Sequence, residues 1–437
     1  MAASLPSTTG LTARPLNRRD YRTLSLAALG GALEFYDFVV YVFFAPVIGQ
    51  LFFPAAMPDW QRLVQTFGIF AAGYLSRPLG GILIGHFGDL LGRKRMFTLS
   101  IFLMAVPTLA IGLLPTYATI GAMAPLLLLL MRILQGAAIG GEVPGAWVFV
   151  AEHVPSQRFG LAVGTLTAGL TLGILIGSLA ASAISVTFSP EDVAGYAWRL
   201  PFILGGGFGL VSVYLRRFLE ETPVFKELSA RRSLARELPL KAVLREHRAA
   251  TLLSLALTWV LSAGIVVVIL FTPTYLREVH HIPATRALPA NSLATLTLAV
   301  GCLVFGWISD RVGTRLTMMV GFGGLLVTSS AFYAMLPGTP MAMVIGYAVT
   351  GFFVGVVTMV PTVAVRSFPA AVRFTGLSFS YNVSYAIFGG LTPIVLQWWL
   401  KTNLMAPAYY VAGLAILGFL LALAPMSDSR DYGSGRL

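Results

Sequence analysis

Two copies of one short charged pattern, roughly half a chain apart, constrain this sequence more than any other feature. The first reads Gly85-His86-Phe87-Gly88-Asp89-Leu90-Leu91-Gly92-Arg93-Lys94-Arg95. The second reads Gly306-Trp307-Ile308-Ser309-Asp310-Arg311-Val312-Gly313-Thr314-Arg315. Each follows one long apolar run and precedes another, so each is a tight hairpin between two membrane helices. Glycine on either side of the aspartate lets helix ends approach closely and turn sharply. The aspartate suits the positive N-terminus of a neighbouring helix, and the basic residues suit the cytoplasmic membrane surface. A pattern that returns at half-chain distance signals an internally duplicated membrane protein.

Composition removes the soluble alternatives. The chain is 57% hydrophobic and 11% charged, where soluble domains carry about a quarter charged residues. Its apolar runs repeatedly reach about 20 residues, enough to cross a hydrocarbon core of about 30 Å. A net charge of +12 invites a nucleic-acid reading, but the basic residues lie in short loops and tails between apolar runs. There is no zinc-finger spacing and no basic helix with interleaved aromatics. The lone Cys302 falls in a predicted span, which excludes a disulfide framework. The polar start, with Arg14, Arg18 and Arg19 before a long apolar segment, reads as a cytoplasmic tail leading into a retained first helix.

Apolar runs set against charged or Pro/Gly breaks predict an all-α bundle of twelve spans. They lie near 23–50, 61–87, 96–114, 118–150, 160–186, 199–219, 250–276, 288–308, 315–336, 340–365, 371–398 and 406–425. The implied domains are a tail (1–22), a six-helix half (23–219), a linker (220–249), a second six-helix half (250–425) and a closing tail (426–437). With the N-terminus inside, 23 of the 30 lysines and arginines fall on the cytoplasmic side and 5 on the other, with Arg77 and Arg132 within spans. This asymmetry predicts that both termini are cytoplasmic. A second repeated element supports the duplication: Glu152-His153-Val154-Pro155-Ser156-Gln157-Arg158 follows span 4, and Arg366-Ser367-Phe368-Pro369 through Arg373 follows span 10. The arginine-rich linker, with its interspersed glutamates, reads either as an amphipathic surface helix or as a solvated connection.

Five ionisable residues lie well inside spans: Glu34, Asp37, Arg77, Arg132 and Glu142. A charge at mid-bilayer costs a few kcal/mol on insertion scales, about 3, so such groups face the protein interior and mark an ion or substrate path, or pair to fix packing. Their concentration on spans 1, 2 and 4 favours function. Glu34 and Asp37 are three residues apart and share a helix face, with Tyr41 one turn further. Arg77 precedes Pro78, which loosens the helix locally. It suits a bidentate substrate carboxylate, or else a salt bridge to Asp37 or Glu34. Glu142, nearer the end of span 4, suits a gate or helix terminus. The glycines of span 5, at Gly160, Gly164, Gly169, Gly173 and Gly177, read as helix packing. Tyr41 on span 1, Tyr381, Asn382 and Tyr385 on span 11, and Trp259 and Tyr275 on span 7 are candidate substrate contacts, with core or interfacial-belt roles the alternative.

The hairpins resemble those of the major facilitator superfamily, and further motifs resemble its metabolite:proton symporter family. They are Gly30-Gly31-Ala32-Leu33-Glu34-Phe35-Tyr36-Asp37-Phe38, Ser76-Arg77-Pro78-Leu79-Gly80, Arg132-Ile133-Leu134-Gln135-Gly136 and Gly140-Gly141-Glu142 in the first half. In the second half they are Phe368-Pro369, Val372 to Gly376, Tyr381-Asn382 and Phe388-Gly389-Gly390. The resemblance implies proton-driven uptake of small metabolites such as α-ketoglutarate, citrate, shikimate, proline or betaine. It also implies that spans 1 and 4 line the cavity. A carboxylate on span 1, Asp37 first and Glu34 as the alternative, then faces Arg132 as a proton switch, and an anionic substrate replaces the carboxylate once it is protonated. Asp89, Arg93, Glu142, Glu152, Arg158, Asp310 and Arg315 form the conformational gate on this reading. Two departures alter that lock: Arg366 stands where the family usually has an acid, and Thr314 where an arginine is common.

These expectations combine into a monomeric inner-membrane transporter that imports a small carboxylated organic acid with protons, and needs no cofactor, metal or nucleic acid. A proton-coupled exporter is the alternative, although span 5 has no proline in Gly173-Ile174-Leu175-Ile176-Gly177-Ser178-Leu179. A transporter-like sensor is a second. An enzyme is not expected, because the chain has no phosphate loop, metal-spaced His/Cys set or acylation motif.

Overall fold

A computed structural model describes residues 31–423 except 33, 34, 92, 141, 155, 217–238, 337, 370 and 371. Among the described residues helix is the only secondary structure, as hydrocarbon demands of segments that must pair every backbone N–H and C=O internally. The N-terminal half opens with one bent span made of α1 (Phe35–Phe43) and α2 (Ala45–Phe52). It continues with α3 (Asp59–Leu91) and α4 (Arg93–Leu113), α5 (Met123–Val148) and α6 (Phe159–Thr187), and α7 (Arg199–Arg216). The C-terminal half holds α8 (Arg248–Glu278), α9 (Ala284–Val312), α10 (Thr314–Ala334), α11 (Pro340–Ser367), α12 (Thr375–Trp399) and α13 (Ala406–Leu423). Eight of these helices are long and apolar enough to cross a membrane on composition alone. The others gain that role from their place in the bundle.

The spans are less regular than their hydropathy. The predicted first span bends by 67° between α1 and α2, because Pro46 in the first turn of α2 has no N–H to continue the ladder. The predicted fourth span begins late: a short helix, Tyr117–Ile120, stops at Gly121 with φ 58°, a left-handed turn that glycine adopts without strain. Within α8 the ladder widens to a π-helix over Gly264–Phe271, and within α12 over Tyr385–Gly389. Such widenings free carbonyls for other donors. The Val267 carbonyl accepts from Thr272 Oγ1 (2.9 Å), and the Val268 carbonyl from Tyr347 Oη (2.7 Å). Of the linker, the described helix Pro239–Glu246 buries Val243 and exposes Leu244, Arg245 and Glu246.

Among the described residues, two helix pairs show how the halves join. Along α6 and α9, Gly160 and Gly164 lie against the backbones of Gly306 and Cys302, where any side chain would collide. Further along, the Ser178 and Ser292 hydroxyls meet at 2.9 Å, and Asn291 Nδ2 donates to Ser178 at 2.9 Å. Gly173 and Gly177 face the first span instead, at Ala32 just before α1 and at Val39 within it, so the span-5 glycine stripe is packing on two sides. The second pair is α3 with α12, where Gly390 packs on Ala71 and Tyr74. At its far end Lys401 Nζ sits 3.1 Å from the Trp60 ring centroid and 4.1 Å from that of Trp398.

Candidate functional site

Asp37 is 3% exposed on α1, and α7 is shaped around it. A Cβ at Gly205 would fall on its Oδ1, and Gly209 lies beside its Oδ2. That Oδ1 has no hydrogen-bond partner, while Thr108 of α4 stands within hydrogen-bonding reach of the carboxylate. Thr108 in turn accepts from Gln135 Nε2 at 2.6 Å, and Gln135 Oε1 accepts from Arg132 Nη1 at 2.9 Å. The expected direct meeting of Asp37 with Arg132 does not occur: Thr108 and Gln135 stand between them, and the Thr108 hydroxyl donates to the Met104 carbonyl at 2.9 Å. Helix geometry explains the difference. Successive residues point about 100° apart, and it is Phe38 and Tyr41 that cover Arg132, which turns Asp37 toward α4 and α7.

Arg132 is fully buried on α5. Its guanidinium carbon lies 4.1 Å from the Phe38 ring centroid, 4.5 Å from Tyr41 and 5.5 Å from Phe70. Tyr41 is held by donating its hydroxyl to the Thr66 carbonyl at 3.0 Å. Arg77, 2% exposed on α3, sits among tyrosines of both halves, 5.3 Å from Tyr74, 5.6 Å from Tyr381 and 5.2 Å from Tyr385. The two boxes share a wall, since Tyr74 packs on Phe38 at 4.7 Å and on Phe70 at 4.8 Å. In both arginines Nε and Nη2 lack a hydrogen-bond partner. The alternative salt bridge from Arg77 to Asp37 does not form. Aromatic faces attract cations by about 2 kcal/mol when desolvated, well short of the cost of burying an unpaired charge.

Asn382 borders the Arg77 box, and the other predicted residues lie apart from it. Asn382 Nδ2 donates across the halves to the Gly140 carbonyl and within α12 to the Ser378 carbonyl (2.9 Å). Trp259 stacks on Phe388 at 4.1 Å and donates to Tyr410 Oη at 2.9 Å. Tyr275 donates to the Leu404 carbonyl at 2.9 Å and contacts His280. Both belong to C-terminal-half packing and are not brought to the arginine boxes. At the basic end, Asp310 accepts from the Gly160 and Leu161 N–H groups at 2.7 and 2.8 Å, and so caps α6 from the other half. Arg158 and Arg366 act on Asp310 electrostatically, and Arg366 lies 4.2 Å from the Phe159 ring centroid. Arg315 is exposed. Glu34 and the side chains of Asp89, Arg93, Glu142 and Glu152 lie outside the described residues.

Sequence reasoning missed Thr108, Gln135, Phe70, Tyr74 and Trp147. Gln135 and Tyr74 each stand one helical turn from an arginine, a signal that helix periodicity offered. Thr108 and Trp147 carried none. Among the described residues no three His, Cys, Asp or Glu side chains form a metal-binding set.

The Major Facilitator Superfamily description matches residues 27–393. The chain belongs to the major facilitator superfamily. A relative from Staphylococcus aureus (strain COL) is 36% identical over 411 residues, spanning 92% of this chain and 87% of that one. The proline/betaine transporter of Salmonella typhimurium is 32% identical, spanning 92% and 83%. The glycine betaine/proline/ectoine/pipecolic acid transporter OusA of Dickeya dadantii is also 32% identical, spanning 92% and 82%. In fold, this superfamily member is similar to the xylose transporter XylE from E. coli in a partially occluded inward-open conformation. The TM-score is 0.74, with 16% identity over 95% of this chain and 99% of that one. The protein is thus a multi-pass membrane transporter of small solutes, not an enzyme.

Proposed function

We propose that this transporter imports a small carboxylate-bearing solute together with protons across the bacterial inner membrane, with both termini in the cytoplasm. One observation carries the reading: two buried guanidiniums, each with unfilled donors, share an aromatic wall, and a single described buried acid, Asp37, stands on the adjoining span beside Thr108. With Asp37 ionised this set holds one net positive charge. Protonation raises it to two, and a bound carboxylate restores one, so substrate and proton are favoured together. Neutralising Asp37 also removes its charge from beside the Thr108–Gln135 pair, which loosens the Gln135 hold on Arg132 Nη1. Organic acids satisfy this logic, and so do the zwitterions that name the relatives, such as proline and betaine.

In proteoliposomes an inward proton gradient should drive accumulation of the carboxylate solute found by screening, and a protonophore should abolish it. Accumulation that survives collapse of the gradient would sink proton coupling.

Asp310 supplies the cytoplasmic closure in this scheme, since its bonds to Gly160 and Leu161 must break before the halves part there. Losing a carboxylate at a helix N-terminus costs about 1 kcal/mol. Asp310→Asn should therefore open this face about fivefold more often. Cys302, the lone cysteine, is buried two turns away beside Gly164 and reports the opening. Its alkylation by a membrane-permeant maleimide should accelerate about fivefold, and an unchanged rate removes Asp310 from the gate.

A further inference from the structure

Four buried polar atoms around Arg77 have no hydrogen-bond partner: Arg77 Nε and Nη2, Trp147 Nε1 and Asn382 Oδ1. Trp147 is 3% exposed, and Arg77 and Asn382 are each 2% exposed. The residues that carry these atoms stand on three spans around one ring, that of Tyr381. Trp147 of α5 meets the Tyr381 ring edge-on at 5.1 Å, and the Arg77 guanidinium lies 5.6 Å from the same ring. Asn382 follows Tyr381 on α12 and is tethered by its amide nitrogen to Gly140, whose backbone packs against that of Arg77. Tyr381 and Tyr385 pack together at 4.8 Å, and Tyr74 stacks on Tyr385 at 5.6 Å.

Buried polar groups in folded proteins are nearly always paired, so a cluster of unpaired ones specifies what is to fill it. Three of these atoms only donate, and one only accepts. Their complement is a ligand with an anionic acceptor at one end and an N–H donor at the other, the donor group being content against tyrosine faces. We infer that Arg77, Trp147 and Asn382 form a zwitterion subsite. The substrate carboxylate takes Arg77 and the Trp147 indole N–H. A primary or secondary ammonium donates to Asn382 Oδ1 while lying against Tyr74, Tyr381 and Tyr385. The carboxylate separates the substrate's cation from the guanidinium, so the two positive charges do not meet directly. The inference rests on the carboxylate reading above and adds a specificity to it: a fully methylated nitrogen has no N–H, and leaves Asn382 Oδ1 unpaired.

The test uses the purified full-length protein in nanodiscs and three probes of one ring size: proline, N,N-dimethylproline and cyclopentanecarboxylate. Wild type should bind proline about tenfold tighter than its dimethyl derivative, the penalty of one unmet buried acceptor. Asn382→Leu should bring that ratio close to one, and Trp147→Phe should weaken both probes by the same factor. Equal affinities in wild type overturn the inference without recourse to any variant. So does an Asn382→Leu protein that loses both probes equally, which would make Asn382 only a tether to Gly140. Binding of cyclopentanecarboxylate without proline overturns the subsite but leaves the carboxylate reading standing. If none of the three binds, the carboxylate reading itself fails for this class.

Discussion

Asp37→Asn is expected to abolish accumulation against a gradient while leaving exchange of substrate across the membrane intact. The amide is neutral at every pH, so the variant stays in the charge state that admits an anion and cannot return empty with a negative charge to reset the cycle. The surroundings favour a clean result. Gly205 and Gly209 leave room for a side chain of the same shape, and Thr108 can serve an amide as it serves a carboxylate. Radiolabelled solute in proteoliposomes separates the two activities, with net uptake measured under an imposed pH gradient and exchange measured with substrate on both sides. Glu34→Gln is the necessary companion. Normal accumulation by Asp37→Asn together with its loss in Glu34→Gln would move the proton to Glu34.

Arg132→Lys should weaken binding of a carboxylate substrate by at least tenfold, about 1.4 kcal/mol. The charge is kept, so the loss isolates what the guanidinium does. Its central carbon lies over the Phe38 and Tyr41 rings while Nη1 is bound to Gln135, and this leaves Nε and Nη2 as a fork for a carboxylate. An ammonium offers a point charge in place of the fork and stacks less well on aromatic faces. Arg77→Lys should lose affinity similarly, since its Nε and Nη2 are likewise unfilled. Isothermal titration on both variants checks the point. If neutral sugars alone bind, and both lysine variants keep full affinity, the arginines are structural and the carboxylate-substrate reading is withdrawn.

Among the described residues, the predicted span list needed two local amendments, at Pro46 and at Gly121, and both came from residue types whose backbone effects are visible in sequence. The π-helical widenings in α8 and α12 were not visible. They depend on which donor reaches the freed carbonyl, as Tyr347 does at Val268 from 79 residues away. The gate divides in the same way. An aspartate able to cap a helix could be recognised in the hairpin, but its partner at Gly160, in the other half, could not.

The sequence by itself determined that the chain is a duplicated bundle of membrane helices, and that a few charges stand where lipid forbids them. Both follow from local quantities, the apolar length of a run and the cost of burying a charge, which need no knowledge of neighbours. Only the tertiary structure decided which buried groups meet. The rotation of α1 gives Phe38 and Tyr41 to Arg132 and sends Asp37 to Thr108. The packing of α3 on α12 places Arg77 among tyrosines from both halves. Helix rotation and pairing are set by side-chain shape summed over whole interfaces, glycine against backbone at Gly160 and Gly306 for example, so no single stretch of residues carries that information.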